Sequence, residues 1–314
     1  MDLSDLIKRI GIKSSTKINE ALNTYIENSD KKREKLEMLL SEFLRITSDK
    51  SAPDLKRSGW VENYYNYIYN NINNFDFNIF DVNQLTSNVQ PYIKDDPSNN
   101  LNFGLFLSAL KDDPSNNSKF GLFLSALINK NIKGGEKIQI ITSIPIHYLF
   151  YKLENPEAYV NIAGVGLGLF ADNSKIYADK AGDDAGYNMQ NCELHVKKAG
   201  DWLGSDAKNS KIYADKAGDY AGYNIQSCEL HVKKAGNRLG ADAKNSKVYA
   251  DEAGINAGSN MKNSELFIYK LNGNLADSCF EGNNEIYLGE ESYKKLIQGY
   301  PKYINTVKLW EKTT

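Results

Sequence analysis

The residues of this sequence that could do chemistry are few, and most of them occur as evenly spaced pairs. His195 and His231 are 36 positions apart, and so are Cys192 and Cys228. A zinc ion needs ligand nitrogens about 2.0 Å away, a disulfide needs Cα atoms within about 7 Å, and a nucleophilic cysteine needs a base beside it. Which of these can form depends on the structure that separates the members of each pair.

A glycine pair sets the spacing of the second half of the chain. The phrase Ala-Gly-x-x-x-Gly recurs every 18 residues. Its first glycines are Gly164, Gly182, Gly200, Gly218, Gly236 and Gly254, and its second glycines are Gly168, Gly186, Gly204, Gly222, Gly240 and Gly258. A repeat at a fixed period indicates a stack of equivalent structural units.

Each 18-residue unit is predicted to be one coil of a parallel β-helix. Eighteen residues are too few for a two-helix repeat, which needs about 33. Between the glycines stand segments such as KIYAD and ELHVK, in which apolar and polar residues alternate with the period of a β-strand. The predicted fold class is therefore α+β: an N-terminal helical domain followed by a right-handed single-stranded parallel β-helix of about eight 18-residue coils.

Side-chain sizes and charges follow the same register. Large and small residues alternate at the predicted inward positions, as in the row Ala185, Leu203, Ala221, Leu239 and Ala257. This alternation indicates interdigitated packing at nearly constant volume. Outward charges alternate in sign, as in the row Asp179, Lys197, Asp215, Lys233 and Asp251, and stacked opposite charges attract one another. The glycines are expected at corners, where φ is positive or chains approach closely.

The predicted coil geometry limits the chemistry of the paired residues. The two histidines stand two coils apart, about 9.6 Å, which is too far to share a zinc ion, and the two cysteines become buried free thiols. Six outward rings form a stripe that either stacks to cover the sheet or offers a flat binding face to a partner. They are Tyr177, His195, Tyr213, His231, Tyr249 and Phe267.

Other candidate sites have simpler structural interpretations. Asp183, Asp201 and Asp219 stack at one corner, where turn residues are favoured over a calcium site. The segment GVGLG at 164–168 is a corner motif, because it does not open a helix in a βαβ unit as a dinucleotide-binding loop would. No catalytic, cofactor-binding or metal-binding residue is predicted. A hydrolase or lyase is disfavoured, because the coils have almost no insertions that could build a groove.

Composition and repeats divide the chain into four predicted segments. Residues 1–93 are a helical domain, 94–134 hold a duplicated 17-residue segment and a cap, 135–290 are the β-helix and 291–314 are a C-terminal helical cap. In the duplication, KDDPSNNLNFGLFLSAL is followed at once by KDDPSNNSKFGLFLSAL, with 15 of 17 positions identical. Because exposed strand edges aggregate, FGLFLSAL is expected to cap one end of the β-helix and YKKLIQGY (293–300) the other.

At AGDDAGYNMQ (181–190) and AGDYAGYNIQ (217–226), the sequence resembles the GXGXG repeat. That repeat forms the C-terminal domain of the glutamate synthase large subunit, and it occurs in one of the subunits of formylmethanofuran dehydrogenase and in stand-alone archaeal proteins. The resemblance covers roughly residues 138–282. It implies a right-handed parallel β-helix that acts as a structural platform between catalytic parts, and it carries no catalytic residue over to this chain.

Charge and cysteine content exclude further function classes. With 38 basic and 40 acidic side chains, the chain is not expected to bind nucleic acid, and its apolar runs are too short to cross a membrane. Three sparse cysteines indicate a reducing compartment, so a cytoplasmic location is expected. No cofactor is expected, and a protein is the expected partner.

The sequence therefore predicts a non-enzymatic structural scaffold or protein-interaction module. The alternative, which the resemblance implies, is an accessory subunit of an oxidoreductase complex of the glutamate synthase or formylmethanofuran dehydrogenase type.

Overall fold

The computed structural model describes residues 38–39, 41–49, 51–54, 58–72, 114–132, 135–142 and 144–311. The chain divides into two compact units, Met1–Arg45 and Ile46–Thr314. The described residues of the first unit are helical, and the elements named below belong to the second. The helices predicted before residue 38 and the first copy of the duplication lie outside the described residues, so the predicted domain limits stay predictions.

Ten parallel strands form one sheet of a β-solenoid, and each strand pairs with its neighbour in the sequence. The strands are β1 (Lys137–Ile140), β2 (Glu157–Ile162), β3 (Lys175–Lys180), β4 (Glu193–Lys198), β5 (Lys211–Lys216), β6 (Glu229–Lys234), β7 (Lys247–Ala253), β8 (Glu265–Leu271), β9 (Glu285–Leu288) and β10 (Val307–Leu309). From β2 to β8, paired residues are 18 positions apart. The predicted fold class is confirmed.

The interior of the solenoid is apolar and closed to solvent. Ile176, Leu194 and Ile212 pair in register in successive strands and are 0% exposed. The row that alternates alanine and leucine from Ala185 to Ala257 is 0% exposed as well. The inward positions predicted from side-chain size are therefore confirmed.

The solenoid has ten strands rather than about eight, because it continues beyond the glycine phrases. Strand β9 follows a coil that contains a 3-10 turn at Asp277–Phe280. Helix α3 (Glu290–Gly299) then precedes β10, so the segment predicted as a helical cap ends in a further strand. Near α3, the backbone N of Leu271 donates to Oγ of Ser292 at 2.9 Å. Strands as short as EIYL and VKL carry too little alternation to be recognised from the sequence.

The two glycines of each phrase meet different needs. The second glycine has a φ between 65° and 71° in every coil, a conformation that residues with a Cβ rarely adopt. The first glycine lies where two coils approach closely. A Cβ on Gly218 would lie 2.0 Å from Oδ1 of Asp201, and the equivalent distances at Gly200 and Gly236 are 2.1 and 2.2 Å. Both reasons predicted for the corner glycines are present, one at each position.

At Gly200, Gly218 and Gly236, the aspartate of the preceding coil leaves no room for a Cβ. Oδ1 of Asp183 accepts a hydrogen bond from the backbone N of Asp201 at 2.9 Å. Oδ1 of Asp201 accepts one from Asp219 at 2.8 Å, and Oδ1 of Asp219 accepts one from Asn237 at 2.7 Å. Each carboxylate thus bonds the backbone of the next coil. These residues hold successive coils together, a role that the turn interpretation of the sequence did not include.

Cys192 and Cys228 occupy a buried ladder that is otherwise built from serine. The backbone N of Ser174 donates to Sγ of Cys192, and the backbone N of Ser210 donates to Sγ of Cys228, both at 3.4 Å. In the alternate coils serine accepts the equivalent bond, as Oγ of Ser210 does from the backbone N of Cys192 at 3.1 Å. The predicted buried free thiols are confirmed, and each also accepts a hydrogen bond from the preceding coil.

We expect the three cysteines to be inert to thiol reagents in the folded protein. Burial raises the pKa of the Cys192 thiol to about 11 and that of Cys279 to about 12, and it raises the pKa of Cys228. Because the thiolate is the reactive form, iodoacetamide at pH 8 should modify none of them until denaturant is added. Mass spectrometry of the adducts tests this, and labelling of the native protein at the denatured rate would contradict it.

Two helices cover the first end of the solenoid. Helix α1 (Trp60–Asn71) packs against helix α2 (Pro114–Asn131), which contains the second copy of FGLFLSAL. Most of the α2 residues from Asn117 to Ile128 are buried. The second copy of FGLFLSAL therefore lies against the first coil.

A stripe of polar side chains on α2 donates hydrogen bonds to backbone carbonyls of the first coil. Nδ2 of Asn117 donates to the carbonyl of Pro145 at 2.9 Å, and Oγ of Ser125 donates to the carbonyl of Tyr148 at 3.1 Å. Nδ2 of Asn129 donates to two successive carbonyls of the same coil, both at 3.0 Å. Without such donors, buried carbonyls at the end of a solenoid would lack partners. Sequence reasoning treated this helix as apolar and missed the stripe.

His147 connects the cap to the coils. Its backbone N donates to Oδ1 of Asn117 at 2.8 Å. Its Nδ1 accepts a hydrogen bond from the backbone N of Val165 at 3.0 Å, as the corner aspartates do in later coils. Burial lowers the pKa of the His147 imidazole, and only the neutral ring has an Nδ1 that can accept. The first corner therefore requires an uncharged histidine.

We expect the free energy of unfolding to fall as the pH drops below about 6.5. The folded-state pKa of His147 is lowered, so the unfolded chain binds this proton first, and stability is lost as pH decreases through that window. His147→Asn supplies an acceptor oxygen that does not titrate. Denaturant unfolding at pH 7.5 and pH 5.5 should show a smaller loss for His147→Asn than for the unmodified chain, and equal losses would contradict the assignment.

Candidate functional site

A groove of about 800 Å³ runs across strands β2 to β7 on the outer face of the sheet. Its two walls are outward side chains two positions apart on each strand, and its floor is the strand backbone between them. One wall is made of the rings of Tyr159, Tyr177, His195, Tyr213, His231 and Tyr249. The other is made of Asp179, Lys197, Asp215, Lys233 and Asp251. No loop is needed to build this groove, which corrects the expectation that coils without insertions would have none.

The ring wall is a continuous stack that extends beyond the predicted stripe. Successive centroids are separated by 4.9 Å from Tyr177 to His195, 4.5 Å to Tyr213, 5.1 Å to His231, 4.4 Å to Tyr249, 4.6 Å to Phe267 and 4.4 Å to Tyr287. Adjacent rings lie within 18° of parallel. The structure therefore brings all six predicted stripe residues together. Their faces contact one another, and their edges remain toward the groove.

Tyr287 adds a ring to one end of the stack, and Tyr159 adds a ring to the wall at the other end; the sequence reasoning missed both. Tyr159 pairs in register with Tyr177, and Tyr287 pairs in register with Phe267. Strand β2 lacks the KIYAD or ELHVK pattern, and β9 lies 20 rather than 18 positions after β8. Counting by 18 from Tyr177 would have found Tyr159, whereas the longer coil concealed Tyr287.

Each histidine of the wall is held by a carboxylate on its own strand. Nε2 of His195 lies 2.6 Å from Oε1 of Glu193, and Nε2 of His231 lies 2.6 Å from Oε1 of Glu229. The hydrogen bond to His195 is the largest cause of the lowered pKa of Glu193. The two imidazoles stand on either side of Tyr213 in the stack. They are oriented by their strands and do not converge on a common point, as the coil geometry predicted.

The second wall consists of ion pairs between neighbouring coils. Nζ of Lys197 lies 2.7 Å from Oδ1 of Asp179, and Nζ of Lys233 lies 2.6 Å from Oδ1 of Asp215. The Lys197 ammonium and then the hydroxyl of Tyr159, which donates to Asp179 at 2.9 Å, lower the pKa of Asp179. Tyr159 thereby connects the two walls at one end of the groove. The charge alternation predicted from the sequence is confirmed as direct pairing.

The aspartates of the second wall do not form a converging acid and base. A carboxyl that acts as a general acid near neutral pH has a raised pKa, whereas the pKa of Asp179 is held low. Aspartates on this wall recur every second coil, about 9.6 Å apart, and do not converge on one bond. Among the described residues, no group of three or more His, Cys, Asp or Glu could hold a metal ion. The corner aspartates Asp183, Asp201 and Asp219 are described residues and form no such group.

A second cluster lies at a corner and was not recognised from the sequence. The rings of Trp202 and Tyr220 stack with centroids 4.1 Å apart, and the Arg238 guanidinium lies 5.0 Å from the Tyr220 centroid. All three have φ between 56° and 62°, where Asn, Asp or Gly is usual. They occupy one 18-residue row, so the repeat itself could have identified them.

No described helix is both long and apolar enough to cross a membrane. Comparison with protein-family models, curated proteins and solved structures yields no match for the chain. The resemblance to the GXGXG repeat therefore stays a prediction, as do the cytoplasmic location and the absence of nucleic-acid partners.

Proposed function

We propose that this protein is a non-enzymatic interaction module that binds an extended segment of a partner protein along the groove of its β-solenoid. The observation that carries the proposal is the groove itself, in which an unbroken stack of rings faces a row of ion-paired charges. Aromatic residues are enriched at protein interfaces because they bury large areas at low entropic cost.

The dimensions of the groove suit a single extended chain. The Cα atoms that carry the two walls are two positions apart on each strand, about 6.7 Å. Six strands at about 4.8 Å spacing give the groove a length of about 24 Å. The stacked rings and cross-coil ion pairs hold both walls in place before a partner arrives. A preorganised surface loses little conformational entropy on binding.

The pattern along the groove repeats every two coils, because tyrosine alternates with histidine and aspartate alternates with lysine. That repeat is about 9.6 Å, close to the rise of about 9.3 Å for one three-residue turn of polyproline II. Successive turns of such a segment would meet equivalent ring edges and charges. Grooves lined with aromatic rings are a known way to recognise this conformation.

Site-specific photocrosslinking tests the proposal. A benzophenone amino acid in place of Tyr213, within the groove, should capture a discrete protein in the native cell. The same group in place of Lys244, which is exposed and is not part of the groove, should not. In the Tyr213-substituted chain, Lys233→Glu should abolish the adduct, whereas Lys216→Glu, an exposed lysine that does not line the groove, should leave it. Equal capture from both sites, or none from the groove, would reject the proposal.

The identity of the captured protein decides between the proposal and its alternative. A flavin- or metal-containing oxidoreductase subunit would favour the accessory role that the sequence resemblance implies. A partner without a cofactor would favour a scaffold.

A further inference from the structure

The duplication gives the chain a second copy of most of the sequence that forms helix α2. In α2, the residues that face the first coil are Asn117, Gly121, Ser125 and Asn129, spaced by four so that they form one stripe. The duplication shifts the sequence by 17 positions. The structure therefore shows which duplicated residues matter for capping.

Gly121 is the closest point of contact between helix and coil. A Cβ at this position would lie 1.7 Å from the carbonyl oxygen of His147 and 2.9 Å from its carbonyl carbon. Because these are backbone atoms, a side chain on residue 121 forces the helix away from the coil. Ser125 bonds in both directions: its Oγ donates to the carbonyl of Tyr148 and accepts from the backbone N of Tyr151, both at 3.1 Å.

The first copy has the same stripe in three of four positions. Asn100, Gly104 and Ser108 correspond to Asn117, Gly121 and Ser125, and the apolar residues FGLFLSAL are unchanged. The fourth position is Asp112 in place of Asn129. A carboxylate has no N–H to donate to the two carbonyls that accept hydrogen bonds from Asn129, so the first copy in the same place would lack these two bonds.

The chain connection permits either copy to reach the site. In the structure, residues 132–136 join α2 to β1. If the first copy took the place of α2, that connection would gain 17 residues. The entropic cost of a loop grows only slowly with its length. The connection therefore does not exclude the exchange.

We propose that the first coil of the solenoid is a docking site for either copy, and that residues 94–110 dock there when α2 is disabled. The duplication then gives the end of the β-helix a second cap of lower affinity. An exposed solenoid end is an aggregation hazard, and a spare cap on the same chain reduces it at high local concentration.

Three variants of the full chain test this proposal, because the double variant should lower the denaturation midpoint by more than the sum of the two single variants. Gly121→Val prevents α2 from seating, Gly104→Val does the same to the first copy, and the third variant combines both. Gly104→Val alone should leave the denaturation midpoint unchanged, because α2 remains in place. Gly121→Val should lower it moderately, and the double variant should lower it by at least about twice as much. If Gly121→Val already equals the double variant, or if neither lowers the midpoint, the proposal is wrong.

Hydrogen exchange provides a direct measurement on the same variants. In Gly121→Val, peptides that contain Leu101 and Asn102 should gain protection, whereas those that contain Ser118 and Lys119 should lose it. These two positions are where the copies differ, so the peptides are distinguishable by mass. Loss of protection in the second copy with no gain in the first would overturn the proposal, even if the variant remains folded.

Discussion

Replacing Gly218 by alanine should lower the free energy of unfolding by about 2–4 kcal/mol. The added Cβ would lie 2.0 Å from Oδ1 of Asp201 and 3.0 Å from the backbone of the preceding coil. The carboxylate then has to move away and loses its hydrogen bond to the backbone N of Asp219. This bond is exposed to solvent, so the steric overlap of the new Cβ with the carboxylate and the backbone accounts for most of the expected loss. Denaturant unfolding followed by circular dichroism measures the loss.

A double-mutant cycle separates the clash with Asp201 from any other destabilising effect of a side chain at position 218. If the clash with Asp201 dominates, Gly218→Ala should cost much less in an Asp201→Ala background, with a coupling of about 1–3 kcal/mol. Gly299→Ala is the matched control, since a Cβ there meets nothing within 4 Å and its φ is not positive. That variant should be neutral. If the costs of the Gly218 and Asp201 substitutions add, contact with Asp201 is not the reason that position 218 requires glycine.

Leu203→Ala should destabilise the solenoid by about 2–5 kcal/mol, because it leaves a cavity in a closed interior. Leu203 is 0% exposed and so are Ala221 and Leu239, the next members of its row. The opposite change, Ala221→Leu, should cost about 1–3 kcal/mol by overpacking. Combined in one chain, the two substitutions exchange volume between adjacent coils. The double variant should lose at least about 1 kcal/mol less free energy of unfolding than the sum of the two single losses. Denaturant unfolding measures all three.

The control for this exchange keeps the total volume but separates the two sites. Leu203→Ala combined with Ala257→Leu alters positions three coils apart in the same row, about 14 Å. Added volume there cannot fill the cavity at Leu203, so the costs should add. If the adjacent pair is also additive, the compensation of size between neighbouring coils is not what stabilises the interior.

Much of the fold could be predicted because its period is visible in the chain. The 18-residue spacing of Gly182 and Gly200, and the alternation of KIYAD with ELHVK, place each residue on an inner or outer row. Buried thiols at Cys192 and Cys228 and the stacked ring stripe followed directly from that placement. Strands β9 and β10 could not be predicted in the same way, since their coils contain a 3-10 turn and a helix and no longer follow the period.

The sequence predicted the rows of residues that line the candidate site but not the groove between them. Sequence spacing placed Tyr213 and its neighbours in a line, and Asp215 and Lys233 in another. Whether the space between two such rows is open depends on the direction of each side chain, which stacking and ion pairing decide. The polar stripe of α2 was missed for a related reason, since Asn117 and Ser125 acquire their role only from the coil beneath them.

The sequence by itself determined the repeating unit, the register of its strands and the chemical character of each row. A repeat imposes the same neighbours on every coil, so composition at one position predicts contacts at the next. Only the tertiary structure decided which groups bond across coils, as Asp201 does to Asp219 and His147 does to Val165. Such contacts depend on atomic separations of about 3 Å between distant parts of the chain, and these arise from the packing of whole coils rather than from local sequence.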